Sequence, residues 1–202
     1  MTDLKDLKND FWLNKKVLIT GHTGFKGSWL SLWLKNLGAI VKGIGLKPDP
    51  ENSLFSSLNL SKKIDNHSII DINNFFELNE NIKNFQPDFV FHLAAQSLVK
   101  TSYENPETTF KSNCIGTLNI LESLRNLKKK CTVVLVTSDK SYKNLEIKRG
   151  YKETDQLGGL DPYSASKACA EIIIQSYIQS FHKKNKIFIA VGRAGNVIGG
   201  GD

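Results

Sequence analysis

Short apolar runs alternate with stretches of helical periodicity along the chain. Lys16–Thr20 (KVLIT) is a β-branched run that stops at glycine, which predicts a buried strand. Phe25–Leu37 is apolar at helical spacing and closes on Gly38, a helix stop. Ile40–Leu46 reads as a second strand, and Lys47–Leu60, with Pro48 and Pro50, as a loop with one turn of helix. A third strand is expected at Ser68–Ile70, a helix at Asn74–Phe85 and, after Pro87, a fourth strand at Phe89–Leu93. A long helix follows over Asn105–Leu127, then a fifth strand at Thr132–Thr137. The last pair is a helix over Asp161–His182, with Pro162 in its first turn, and a sixth strand at Ile187–Val191. On that helix Ala165, Cys169, Ile173, Tyr177 and Phe181, each four apart, read as a core stripe, with Cys169 packing rather than reacting. No repeat interrupts the alternation. Strands alternating with helices predict an α/β fold: a doubly wound, Rossmann-like parallel sheet covered on both faces.

Composition narrows the class. A chain of 202 residues has room for one sizeable core and is short for a two-domain enzyme. With 40% hydrophobic and 23% charged residues it reads as globular rather than disordered. The longest apolar runs, such as Ile187–Val191, are far below a membrane span, and Phe11–Leu13 is too short for a signal-peptide core. Three cysteines, Cys114, Cys131 and Cys169, without CxxC spacing exclude a disulfide scaffold and suggest reduced thiols. A cytoplasmic protein is expected.

The net charge of +7 raises the question of nucleic acid. The lysines are scattered, as at Lys15–Lys16, Lys62–Lys63, Lys128–Lys130 and Lys183–Lys184, and no nucleic-acid motif accompanies them. They suit helix ends and loops; no nucleic-acid partner is expected, and an anionic small substrate is compatible. His22, His67, His92 and His182 lack metal-ligand spacing, so no metal is expected. The glycine-rich Gly199-Gly200-Gly201-Asp202 reads as a loop leading into further chain.

Candidate chemistry gathers where strands end. Gly21-His22-Thr23-Gly24-Phe25-Lys26-Gly27 lies between the first strand and the first helix. Its spacing is GxxGxxG rather than GxGxxG. Glycines there let the backbone turn sharply and approach a pyrophosphate, with the helix N-terminus behind it. An acid about 20 residues on would mark NAD over NADP. The second strand instead ends Gly45-Leu46-Lys47, where Lys47 could favour a 2′-phosphate and Asp49 is the nearest acid. The residues alone leave that choice open. Asp71 after the third strand could meet an adenine edge or serve a helix N-terminus. Ala94-Ala95-Gln96 after the fourth offers small residues for a cofactor to lie against, or close packing. Tyr163-Ser164-Ala165-Ser166-Lys167 is YxxxK, with both side chains on one helix face. A lysine ammonium beside a phenol favours phenolate, which can take a proton from a hydroxyl as hydride leaves.

With these residues assembled, the chain resembles the extended short-chain dehydrogenase/reductase family, in its NAD-dependent epimerase/dehydratase branch. The matching segments are FWLNKKVLITGHTGFKGSWLSLWL, PDFVFHLAAQSLVKTSY, VTSDKSY, GGLDPYSASKACAE and RAGNVIGGGD, so nearly the whole chain takes part. Within the branch it is most similar to nucleotide-sugar 4,6-dehydratases. The resemblance implies tightly bound NAD, the nucleotide sugar CDP-glucose as substrate, a role in deoxysugar and lipopolysaccharide synthesis, and a homodimer. It also implies an NAD-binding domain over residues 1–192, with residues 193–202 opening a C-terminal substrate domain. Residues 1–202 alone are then expected to bind NAD without turnover.

The resemblance also assigns roles. Tyr163 and Lys167 act at the 4-hydroxyl of the sugar, and Ser138 hydrogen-bonds the 4-oxygen. Asp139 is the candidate acid for the leaving 6-hydroxyl, a role that requires a protonated carboxyl. Lys140 stands where related dehydratases carry a glutamate base for C5. Lysine can be that base only if desolvation or a nearby cation strips its proton; otherwise it stabilises the enolate. Cofactor contacts are expected from Gly21, Thr23, Gly24, Phe25, Lys26, Gly27, Asp71, Ile72, Leu93, Ala94, Ala95, Gln96 and Thr137, together with Tyr163 and Lys167. Substrate contacts are expected from Gln96, Ser97, Asn113, Arg193 and Asn196. The rival readings are an NADP-linked epimerase or reductase, a dehydratase for another nucleotide sugar, and a cofactor-binding module without turnover.

Overall fold

In a computed structural model the structure describes residues 10–49, 51–181 and 186–201. His182, Lys183–Lys184 and Asp202, named above, lie outside the described residues, as does Pro50. The strands are β1 (Lys16–Thr20), β2 (Ile40–Gly45), β3 (Asn66–Ile69), β4 (Phe89–His92), β5 (Cys131–Ser138) and β6 (Ile187–Ala194). The helices are α1 (Phe25–Asn36), α2 (Leu54–Ser57), α3 (Leu60–Lys63), α4 (Phe75–Phe85), α5 (Val99–Glu104), α6 (Pro106–Phe110), α7 (Gly116–Arg125) and α8 (Pro162–Ser180). The strands form one parallel sheet in the order β3-β2-β1-β4-β5-β6. This is the expected doubly wound sheet, and its order reverses between β1 and β4, where a crevice opens at the strands' carboxyl ends.

Alternation along β1 explains the two cores. Val17, Leu18 and Ile19 are all fully buried. Val17 and Ile19 pack with Leu34, Val41, Phe55 and Leu60 under α1, α2 and α3. Leu18 turns the other way, to Leu78, Ile82, Ile120, Leu124 and Ile174 from α4, α7 and α8. A strand buried on both faces reads as a continuous apolar run, which is why KVLIT is legible.

The structure departs from the expected elements where tertiary contacts override local pattern. The loop after β2 holds two short helices, the first capped by Ser53, which accepts from the Ser56 amide. The third strand lies earlier than expected, because its partners are Lys42–Gly45 of β2. The expected Asn105–Leu127 helix is α6, one wide turn over Lys111–Ile115 with π-type hydrogen bonds, and α7. The sixth strand runs past Val191 to Ala194, because β5 continues beside it and pairs Thr137 with Arg193 and Ser138 with Ala194. Arg193, expected in the following loop, is thus a strand residue. The four-apart stripe on α8 is a correction too. Tyr163, Lys167, Ala170, Glu171 and Ile174 form the buried face, while Ile173 and Tyr177 only flank the core and Phe181 is exposed.

Among the described residues no helix is long and apolar enough to cross a membrane, and no group of three or more His, Cys, Asp or Glu side chains could hold a metal ion.

Candidate functional site

The site begins at the turn from β1 into α1. Gly21 has φ +76°, and a Cβ there would stand 2.7 Å from the Ala94 amide nitrogen, so the loops after β1 and β4 touch. A Cβ on Gly27 would stand 2.0 Å from the Gly21 carbonyl oxygen, so the first turn of α1 rests on the loop itself. Gly24 differs: its nearest neighbour would be 3.4 Å away, and it is exposed. Nothing in the protein requires glycine at that point, the N-cap of α1, and a bare backbone there leaves room for a ligand. The cradle therefore fits a dinucleotide pyrophosphate. Thr23 Oγ1 donates to the Leu46 carbonyl at 2.9 Å and ties the loop to the end of β2. Phe25 and Lys26 are half-buried beside it. At the expected ribose end, Asp49 Oδ1 accepts from the Glu51 and Asn52 amides, so that carboxylate caps its own turn. Asp71 also forms a turn, accepting from the Asn73 amide at 2.9 Å, and is exposed; Ile72 beside it is buried against Gly116.

His22 lies under this loop, fully buried, with no side-chain hydrogen-bond partner for either ring nitrogen among the described residues. Its ring fills the space over Gly43, where a Cβ would come within 2.2 Å, and meets Phe55 edge-on. Burial holds its pKa down at about 4, with His67 adding to the effect and the Ile44 backbone opposing it. His92, at the end of β4, is bonded at 2.7 Å to Thr20 and 3.2 Å to Thr117, and burial lowers it to about 3. Both histidines fold neutral, so below about pH 6.5 the unfolded chain binds more protons than the native one. Stability is expected to fall from about pH 6.5 toward about pH 4, by up to about 1.4 kcal/mol per pH unit for each histidine. Urea unfolding across that window measures it, and a His92→Gln variant with an unchanged slope would refute the share given to His92.

The segment after β4 is held from below. Leu93, Ala94, Ala95 and Gln96 are half-buried and Ser97 is exposed. Asn113, 2% exposed, accepts from the Gln96 amide at 2.8 Å and donates to the Gln96 carbonyl and to Ser166. Asn113 therefore clamps the β4 loop to α8 rather than presenting its amide to a ligand. The wide turn is what brings it there.

The YxxxK pair sits in the first two turns of α8, whose N-cap Asp161 accepts from the Ser164 amide at 3.0 Å. Tyr163 and Lys167 are 8% and 7% exposed, and Lys167 makes no ion pair among the described residues. Burial lowers its ammonium to about 8, Lys26 adding to this and Cys114 opposing it. Burial also lowers Lys26. Two unneutralised cations near one another favour an anion at the crevice. Cys114 and Cys131 are pushed up to about 12, chiefly by burial, so both are inert thiols.

Opposite this helix, the end of β5 turns through Asp139–Ser141, one 3₁₀ turn. Ser138 Oγ accepts from the Lys140 amide at 3.2 Å and donates to Asp139 Oδ1 at 3.1 Å. Lys140 Nζ donates to Asn196 Oδ1 at 3.3 Å and stands 3.5 Å from Asp139. Asp139 and Lys140 are exposed. Thr137 and Arg193 face elsewhere: both bond Glu171. The Arg193 guanidinium is thus committed to a buried carboxylate, and the raised pKa from that contact keeps it charged. Sequence reading passed over Glu171. Its signal was available, as an acid one turn after Lys167 and two after Tyr163 on the buried face of α8.

The GDP-mannose 4,6 dehydratase family profile matches residues 18–200. CDP-glucose 4,6-dehydratase of Salmonella typhimurium is 46% identical over 201 residues, covering 97% of this chain and 56% of that protein. The structure is similar to an epimerase from Methanothermobacter thermautotrophicus, with TM-score 0.76, 27% identity and coverage of 92% of this chain and 52% of that one. It is also similar to MoeE5 in complex with UDP-glucose and NAD, with TM-score 0.69, 25% identity and coverage of 88% and 52%. The chain spans about half the length of the curated relatives it matches. The glycine turn, the YxxxK helix and the parallel sheet that sets them at one edge agree with these matches, and the chain belongs to the GDP-mannose 4,6 dehydratase family.

Proposed function

We propose that the whole protein is an NAD-dependent hydro-lyase that converts CDP-glucose to CDP-4-dehydro-6-deoxyglucose, a step in deoxysugar synthesis. The observation that carries this reading is the 46% identity, over 97% of the chain, to a CDP-glucose 4,6-dehydratase. The glycine turn, Ala94, Ala95 and the half-buried Lys26 would hold NAD. Bound there, NAD would supply a hydride acceptor for C4 and, once reduced, a hydride donor for C6, so that no external oxidant is consumed. Tyr163 takes the proton of the 4-hydroxyl, with the buried Lys167 four residues along the same helix. Ser138 donates to the 4-oxygen. The new ketone acidifies the C5 proton, which passes to a base in exchange with solvent as Asp139 protonates the departing 6-hydroxyl, and water leaves. C5 then regains a proton.

Lys140 serves the C5 step. Its contacts with Asp139 and Asn196 support an ammonium that stabilises the enolate. Lys140→Arg is then expected to keep C5 exchange with solvent deuterium within about tenfold of wild type, and Lys140→Met to lose about 10²-fold or more. Unchanged exchange in Lys140→Met would remove Lys140 from the step; loss in both variants would make it the base. The same reading carries a cytoplasmic homodimer, supported by apolar Phe110, Ile115 and Ile172 exposed on the long helical segments; sedimentation of the full-length protein measures the association.

The function is tested by incubating the full-length protein with CDP-glucose and NAD and identifying the product. Loss of one water with a carbonyl at C4 is expected. An isomer of unchanged mass would point to an epimerase, and turnover only with another nucleotide sugar, or only with NADP, would replace the substrate or cofactor assignment.

A further inference from the structure

Glu171 is the one acidic side chain among the described residues that is fully buried, with 1% exposure. Its carboxylate accepts from Thr137 Oγ1 at 2.7 Å, from Ser141 Oγ at 3.0 Å, and from Arg193 through Nε at 2.8 and 2.9 Å and Nη2 at 2.5 Å. Burial pushes this carboxyl up, but Arg193 and the two hydroxyls outweigh burial and hold it ionised, below the usual carboxylate range. Arg193 in turn lies over the Tyr142 ring at 4.5 Å and donates to the Glu153 carbonyl at 3.2 Å. Ser141 and Lys143 anchor the returning strap through Gly158 and Gln156.

The placement of these donors is informative. Thr137 and Ser141 flank Ser138, Asp139 and Lys140 on either side. Glu171 follows Tyr163 and Lys167 on one face of α8 at successive four-residue steps. Arg193 lies three residues before Asn196, which binds Lys140. One carboxylate thus joins the helix bearing the tyrosine and lysine, the turn bearing the serine, aspartate and lysine, and the strand leading to Asn196. A buried ion pair contributes little net stability over an apolar pair of the same size, and its attested use is to specify one arrangement.

We propose that Glu171 is a positioning residue: it fixes the Ser138–Asp139–Lys140 turn against the helix that carries Tyr163 and Lys167. The consequence for chemistry rests on the dehydratase reading. Tyr163 is set by α8 itself and Ser138 by its place in the β5–β6 ladder opposite Ala194, so oxidation at C4 depends little on Glu171. Asp139 and Lys140 are set by the turn, so elimination of water depends on it strongly.

Two variants of the full-length protein test this, Glu171→Gln and the milder Ser141→Ala, each read in two ways. Amide hydrogen exchange without ligand is expected to rise about tenfold over residues 137–143 and to stay at the wild-type rate over Tyr163–Ile174. In single turnovers with CDP-glucose, elimination is expected to slow by up to ~10²-fold while hydride removal at C4, followed as a transient NADH absorbance, stays near wild type. Glu171→Asp is expected to recover part of both effects. Wild-type exchange over 137–143, or a rise shared equally by α8, overturns the positioning role. Equal slowing of both chemical steps overturns the division of labour. If Glu171→Gln does not fold, Ser141→Ala decides by the same criteria. If the wild-type protein does not act on CDP-glucose, the dehydratase reading falls, and the exchange measurement still decides the positioning role.

Discussion

Tyr163→Phe is expected to lower turnover of the full-length protein by ~10²–10⁴-fold, the range for losing a positioned acid–base group. The change removes one oxygen and no packing. The ring is 8% exposed, and its hydroxyl makes no hydrogen bond among the described residues, so no buried partner is orphaned. The unfolding midpoint is therefore expected to stay at the wild-type value, and binding of NAD to fall little. Lys167→Met is a different change, because it deletes a buried ammonium. A Tyr163→Phe protein that turns over within tenfold of wild type, measured as kcat with CDP-glucose, would take the proton transfer away from this residue.

The second large effect is at the glycine turn, where two neighbouring glycines separate stability from binding. Gly27→Ala places a methyl 2.0 Å from the Gly21 carbonyl oxygen and 2.7 Å from the His22 Cα, both backbone. Backbone has no rotamer with which to yield, so the turn must open, at a cost of about 1–3 kcal/mol for overpacking. NAD binding is expected to be lost with it. Gly24→Ala meets nothing closer than 3.4 Å within the protein, and its φ of −83° suits any residue. Its unfolding free energy is expected to change by less than about 0.5 kcal/mol. Its affinity for NAD is expected to drop about tenfold or more, because the methyl occupies the ligand's side of the turn. Titration with NAD and urea unfolding of both variants decide it. Wild-type affinity in Gly24→Ala would mean that the turn is structural only.

Much of the site was legible because its signals are local. A glycine turn between a β-branched run and an amphipathic helix, and a tyrosine and lysine four apart behind an N-cap and a proline, lie within short stretches of chain. What was missed depends on residues far apart in sequence. Glu171 acts through Thr137 and Arg193, 34 and 22 residues away. Asn113 acts through Gln96 and Ser166, 17 and 53 residues away. Arg193, expected to contact the substrate, is held by Glu171. The α8 stripe misled because spacing reveals a face, while only packing decides which face turns inward.

By itself the sequence determined the parallel α/β architecture, the glycine cradle and the YxxxK helix. Periodicity, steric freedom at glycine and capping all act over a few residues. Only the tertiary structure decided how far β6 runs, which face of α8 is buried, and which polar groups are free for a ligand. Those outcomes follow from ladder pairing with β5, from the shape of the core, and from the requirement that a buried charge find its partners wherever the fold brings them.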